Sequence, residues 1–175
     1  FAEHWMSVEE ARAFDWGDGE HFCTPYELGW DGFVNLDAGN FHGRDALREV
    51  DADGTKRTFV NLQWNSDDVL DVFGEQFGDG NPVPPMELPS GQHRISYLPV
   101  LRDGKQVGWA SGNVYSPTLR EMISNARIST ELAESGTELT VIWGGFTPED
   151  PKREITATVE PEQLYSSKER DDPRP

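Results

Sequence analysis

Four side chains near the start of the chain have types that suit the grip of a flat, polar ligand. Glu27 offers a carboxylate, which can accept from two donors on one molecular edge at once. Tyr26 beside it and Trp30 just beyond supply aromatic faces that can line or close a pocket. Arg57 adds a guanidinium, suited to a carboxylate or a carbonyl oxygen. The plainer reading of the same residues is structural. On it, Trp30 is core, Tyr26 is packed, Glu27 anchors a turn by accepting backbone N–H bonds, and Arg57 is solvated.

Other chemistry finds less footing. His4, His21, His42 and His93 lack metal-ligand spacing. Asp67 and Asp68 are adjacent carboxylates without a completed oxygen set, and helix capping accounts for them better. Gly108 to Gly112 lacks the Gly-Lys-Ser/Thr ending of a phosphate loop, and no Ser-His-Asp nucleophile motif occurs. The lone Cys23 forms no internal disulfide, so a reducing cytoplasm is the default compartment.

The elements that must position these groups read as follows. Ser7 with Glu10 forms a capping box for a short helix from about Val8 to Phe14. Thr24 to Val34 reads as an apolar, β-prone strand interrupted by an Asp31-Gly32 turn. Asp37 to Asn40 breaks the chain, Gly43 allows a close backbone approach, and a helix begins at about Asp45. Arg57 to Trp64 alternates as a strand, and a helix starts at Ser66-Asp67-Asp68 and ends near Gly78. Gly78 to Gly91 is a long Gly/Pro loop. Ile95 to Leu101 and Gln106 to Ala110 form a hairpin about Asp103-Gly104, with Gly112 to Val114 continuing the second strand. A turn at Ser116-Pro117-Thr118 leads to strands at Met122–Ile128, Glu138–Trp143 and Glu154–Glu160. Short strands at this spacing predict a small barrel or sandwich from about Arg57 to Tyr165.

Two ordered blocks carry a resemblance. Pro25, Glu27, Gly29 and Trp30, followed by Phe41, Gly43, Arg44, Asp45, Ala46 and Leu47, resemble the C-terminal portion of the glycine-cleavage T-protein (aminomethyltransferase) superfamily. Leu62-Gln-Trp-Asn-Ser-Asp-Asp-Val-Leu, the run from Gly108 to Ser116, and Gly136 to Gly144 are most similar to its tetrahydrofolate-dependent vanillate and syringate O-demethylases. The resemblance covers about Phe22 to Tyr165, most of the chain.

The resemblance implies an α+β, mainly β fold: a Greek-key or jelly-roll-like β-barrel preceded by the end of an α+β folate-binding part. Residues 1–50 would close that central part, 51–165 would form the barrel, and 166–175 would be a disordered tail. It implies tetrahydrofolate as cofactor, with Tyr26, Glu27, Trp30 and Arg57 as its binding residues. It implies methyl transfer from a methoxylated aromatic acid to tetrahydrofolate. The acid–base groups would come from a larger N-terminal part absent here, so no catalytic residue is assigned and the isolated chain is expected to be inactive. Aminomethyl transfer and a non-catalytic folate-binding scaffold are the alternatives. The partners implied are folate, a small aromatic methyl donor and that N-terminal part; the missing initiator Met fits a fragment.

Composition narrows the remaining classes. Asp and Glu number 32 against 15 Lys and Arg, for a net charge of −17 over 175 residues. That field opposes nonspecific nucleic-acid binding, which needs clustered cations, and anionic membrane surfaces. No apolar run approaches the roughly 20 residues of a membrane helix. Because folate tails are anionic, a folate site must be a local exception to the charge. Trp5, Phe14 and Trp16 favour self-association of the isolated chain.

Overall fold

The computed structural model describes residues 23–86, 97–145 and 149–160. Six strands close into an antiparallel barrel: β1 (Arg57–Trp64), β2 (Leu98–Arg102), β3 (Lys105–Ser116), β4 (Glu121–Ser129), β5 (Glu138–Gly144) and β6 (Lys152–Glu160). Their order around the wall is β1-β4-β3-β2-β5-β6, with β6 returning to β1. Strands β2, β3 and β4 follow one another as hairpins while β1 sits beside β4, which is a Greek key. The expected β-barrel class is therefore what forms, with each strand predicted from Arg57 onward at or within a few residues of its place.

Strict alternation explains closure. Val60, Leu62 and Trp64 of β1 point inward with Met122, Ser124, Ala126 and Ile128 of β4. They share the core with Leu98 and Val100 of β2, Ala110 of β3, Leu139 and Val141 of β5, and Ile155, Ala157 and Val159 of β6. With period-2 side chains, the odd-numbered residues of β1 and β4 must face outward, Arg57, Phe59 and Arg127 among them. Where β3 crosses β4, Gly108 comes so close that an added Cβ would collide with the Arg127 carbonyl oxygen. The β2–β3 turn has positive φ at Asp103 (51°) and Gly104 (74°), the mirror-image turn that matches strand twist.

Two helices flank β1 in the chain. Helix α1 (Arg44–Asp53) precedes β1, and none of its residues is buried. Helix α2 (Ser66–Glu75) follows β1 and buries Val69 and Val72. Its cap is Asn65, whose side chain accepts from the N–H groups of Asp67 and Asp68. Asp67 and Asp68 occupy the first turn, and Asp68 Oδ2 also accepts from Thr156 N of β6 at 2.8 Å. Within the core Trp64 donates to Ser124 Oγ at 2.9 Å and meets Trp143 edge-on at 6.2 Å.

Two expectations are corrected. Thr24 to Val34 is not a strand: Tyr26–Leu28 and Asp31–Phe33 are 3-10 helices. Pro25 lies in the right-handed helical region and Gly29 at φ 69°, so backbone chemistry overrides the apolar alternation. Gly43 has open space where a Cβ would stand; its φ of 86° is what requires glycine. The expected helix at 8–14, residues 87–91 of the long loop, Ile95 and the tail lie outside the described residues. So do Trp5, Phe14 and Trp16.

Candidate functional site

The site starts as a local backbone device. Thr24 N donates to Glu27 Oε2 at 2.8 Å, and Glu27 N donates to Thr24 Oγ1 at 3.2 Å. This Thr-x-x-Glu pair is a reciprocal capping box, here closing a single 3-10 turn. The Pro25 carbonyl then accepts from Leu28 N and Trp30 N, which fixes the path as far as the indole.

The barrel supplies the other half. Thr130, the residue after β4, donates from N to Lys56 O and from Oγ1 to Thr55 O, fixing the approach to β1. Arg57, the first residue of β1, is thereby aimed outward, and its Nε lies 2.8 Å from Glu27 Oε1. Each carboxylate oxygen of Glu27 has one protein donor, leaving acceptor capacity on both. Glu27 is 7% exposed and is the one buried charged residue among the described residues.

Burial pushes the Glu27 carboxyl upward. The Thr24 backbone N–H, the Arg57 hydrogen bond, and the charges of Arg57 and then Arg127 outweigh it, leaving Glu27 below the ordinary glutamate value. The Tyr26 phenol moves the other way: partial desolvation first, then the charges of Asp51 and Asp31, hold it above its usual value, so it stays neutral.

The structure thus joins Glu27 to Arg57 and sets Tyr26 on the same 3-10 turn. Glu27 is a turn anchor, as the plainer reading expects, and an arginine partner as well. Trp30 departs from that reading: it is 57% exposed, not core. Phe33 and Phe41 are exposed on the same stretch. Farther along, Arg44 and Arg48 of α1 donate to the Gly39 and Leu36 carbonyls, folding the loop against the helix.

Sequence reading missed Thr24, Cys23 and Arg127. The Thr24-x-x-Glu27 spacing was a legible signal. Arg127 had none, because only strand register places it two residues along the outer wall from Arg57, opposite Phe59. Arg127 Nη1 donates to Cys23 Sγ, the residue just before the box. Among the described residues no group of three or more His, Cys, Asp or Glu side chains can hold a metal, and no helix is long and apolar enough to cross a membrane.

Residues 92–164 match the glycine cleavage T-protein C-terminal barrel domain. The chain is 37% identical over 151 residues to a sesamin methylene transferase from Sinomonas sp. (strain No.22), covering 79% of this chain and 32% of that protein. It is 32% identical over 122 residues to a syringate O-demethylase from Sphingobium sp. (strain NBRC 103272 / SYK-6), covering 69% and 26%. The chain therefore spans about a third or less of the length of these relatives. In fold it is similar to the glycine cleavage system aminomethyltransferase T of Bartonella henselae, with a TM-score of 0.51 at 15% identity, over 81% of this chain and 31% of that one. Barrel, motif blocks and relatives agree: the chain belongs to the glycine cleavage T-protein (aminomethyltransferase) superfamily and represents its C-terminal part.

Proposed function

We propose that this chain is the C-terminal part of a tetrahydrofolate-dependent methyltransferase that O-demethylates methoxylated aromatic acids. Residues 1–50 then finish a folate-binding part and 51–165 form the barrel that closes it. The carrying observation is the buried Glu27 carboxylate, fixed by Thr24 N and Arg57 Nε yet with acceptor capacity on both oxygens. Such a group fits the N–H donor edge of a pterin, and the exposed Trp30 indole three residues on offers a face for the ring.

Two arginines, Arg57 and Arg127, lie near enough to Glu27 for their charges to act on it, which places guanidinium groups beside the acceptor in an otherwise acidic protein. When bound, tetrahydrofolate supplies the nitrogen that takes up the one-carbon unit. Glu27 orients the ring, Arg57 keeps Glu27 ionised and in place, and Tyr26 lines the approach as a neutral phenol. None of these residues acts as acid or base toward a leaving phenolate, so that work belongs to the preceding part. Similarity to proteins named for syringate O-demethylation and sesamin methylene transfer supports the aromatic branch. Membership in the glycine cleavage family keeps aminomethyl transfer as the second reading.

Calorimetric titration of tetrahydrofolate into the full-length protein, wild type and Glu27→Gln, tests the site. Equal affinity for both would remove Glu27 from the cofactor site. Supplying vanillate, syringate and an aminomethyl donor to the full-length enzyme tests the branch; turnover with the aminomethyl donor alone would overturn the demethylase assignment.

A further inference from the structure

Arg127 lies outside every motif that drew attention in the sequence, yet the barrel brings it to the edge of the Glu27 site. Register sets it on the outer face of β4, with Phe59 of β1 on one side and Trp109 of β3 on the other. Cross-strand neighbours at that spacing confine a long side chain, so the guanidinium is directed rather than free to sweep. Its Nη1 donates to Cys23 Sγ. Cys23 leads directly into Thr24, whose N–H holds Glu27 Oε2, while Arg57 holds Oε1 from the neighbouring strand. Two arginines on adjacent strands therefore fix the two ends of one short segment, Cys23 to Glu27. Gly108 keeps β3 tight against the Arg127 backbone, so the strand carrying this side chain has little room to shift.

We propose that Arg127 is a positioning residue for ligand binding: through Cys23 it holds the Thr24–Glu27 box on the barrel wall, so that the Glu27 carboxylate meets the ligand already oriented. The proposal rests on the reading of Glu27 as a ligand acceptor. Arg57 contacts the carboxylate itself, whereas Arg127 acts on the backbone that supplies its second donor. Because the carboxylate would otherwise rotate about its own side-chain torsions, losing either hold spreads its orientations and weakens binding without removing the acceptor. The charge of Arg127 also reaches Glu27, the weakest of the influences that favour the ionised carboxylate.

The test is calorimetric titration of tetrahydrofolate into the full-length protein carrying Arg127→Met, Arg127→Lys, Cys23→Ala or Glu27→Gln, each beside its urea unfolding midpoint. The expected result is affinity about tenfold weaker for Arg127→Met, comparable weakening for Cys23→Ala, and a value nearer wild type for Arg127→Lys. A merely structural role would lower the urea midpoint and leave the affinity of the folded protein unchanged, which overturns the proposal. Unchanged affinity in both Arg127→Met and Cys23→Ala, with binding lost in Glu27→Gln, overturns it while sparing the Glu27 reading. Wild-type affinity in Glu27→Gln instead removes the reading on which it rests.

Discussion

Glu27 and Arg57 meet at 2.8 Å, Oε1 to Nε, joining a short 3-10 turn to the first residue of the barrel. Glu27 is nearly buried while Arg57 keeps 29% of its side chain exposed, so the pair lies between the buried and surface regimes. Breaking it leaves a carboxylate in a partly desolvated place. Arg57→Met is expected to cost about 1–3 kcal/mol, below the 3–5 kcal/mol of a fully buried pair. In a double-mutant cycle with Glu27→Gln, urea titration should find the double variant less destabilised than the sum of the singles. Strict additivity would mean that the two do not interact in solution.

Acid should act through the same carboxylate. The folded-state value of Glu27 is depressed, so its contribution to stability is present above the unfolded glutamate value of about 4.3. That contribution disappears as pH falls through the lower folded value. Thermal unfolding followed downward from pH 7 should therefore show wild type losing more stability below about pH 4.3 than Glu27→Gln. Parallel curves would count against a depressed Glu27.

Trp30 separates binding from folding. As an exposed indole, its replacement by Ala should leave stability within about 0.5 kcal/mol. Affinity of the full-length protein for tetrahydrofolate should fall about tenfold if the ring stacks on the ligand. A large fall in melting temperature with unchanged affinity would make Trp30 structural after all.

Ser124 sits in the middle of the core to satisfy one atom, the Trp64 indole nitrogen at 2.9 Å. Ser124→Ala strands that N–H in an apolar interior and is expected to cost about 1–3 kcal/mol by urea titration. Trp64→Phe removes the donor, and in that background Ser124→Ala should cost much less; an unchanged cost would deny the bond its role.

Gly108→Ala tests the tight crossing of β3 and β4. The added methyl meets backbone atoms of Arg127 and Ile128, which cannot swing aside, so destabilisation of about 1–3 kcal/mol or more is expected. If Arg127 is set by this crossing, ligand affinity should also weaken; a neutral variant would mean the strands separate easily.

The barrel was legible because its signals are local and repeated. Alternation along Arg57–Trp64, the Asp103-Gly104 turn, and the runs from Glu138 and Glu154 each state a strand without reference to the rest, the last of them beginning two residues earlier, at Lys152. The stretch before it was read less well. Tyr26, Leu28 and Trp30 alternate as a strand would, but Pro25, Gly29 and the Thr24–Glu27 box commit the backbone to turns. Helix α2 began where its acidic residues indicated, although its cap proved to be Asn65.

By itself the sequence determined the strand-forming segments, the family motif at Pro25–Trp30 and the acidic charge, since each depends on neighbours along the chain. Which side chains share the site was decided only by tertiary structure. Register across β1 and β4 aims Arg57 and Arg127 at one outer face, and the seating of the preceding turn against that face brings Glu27 to Arg57 and Cys23 to Arg127. A one-residue slip of either strand would turn its arginine inward, and no local preference in the sequence specifies that register. The burial of Val60, Leu62, Ala126 and Ile128 on the inner faces does.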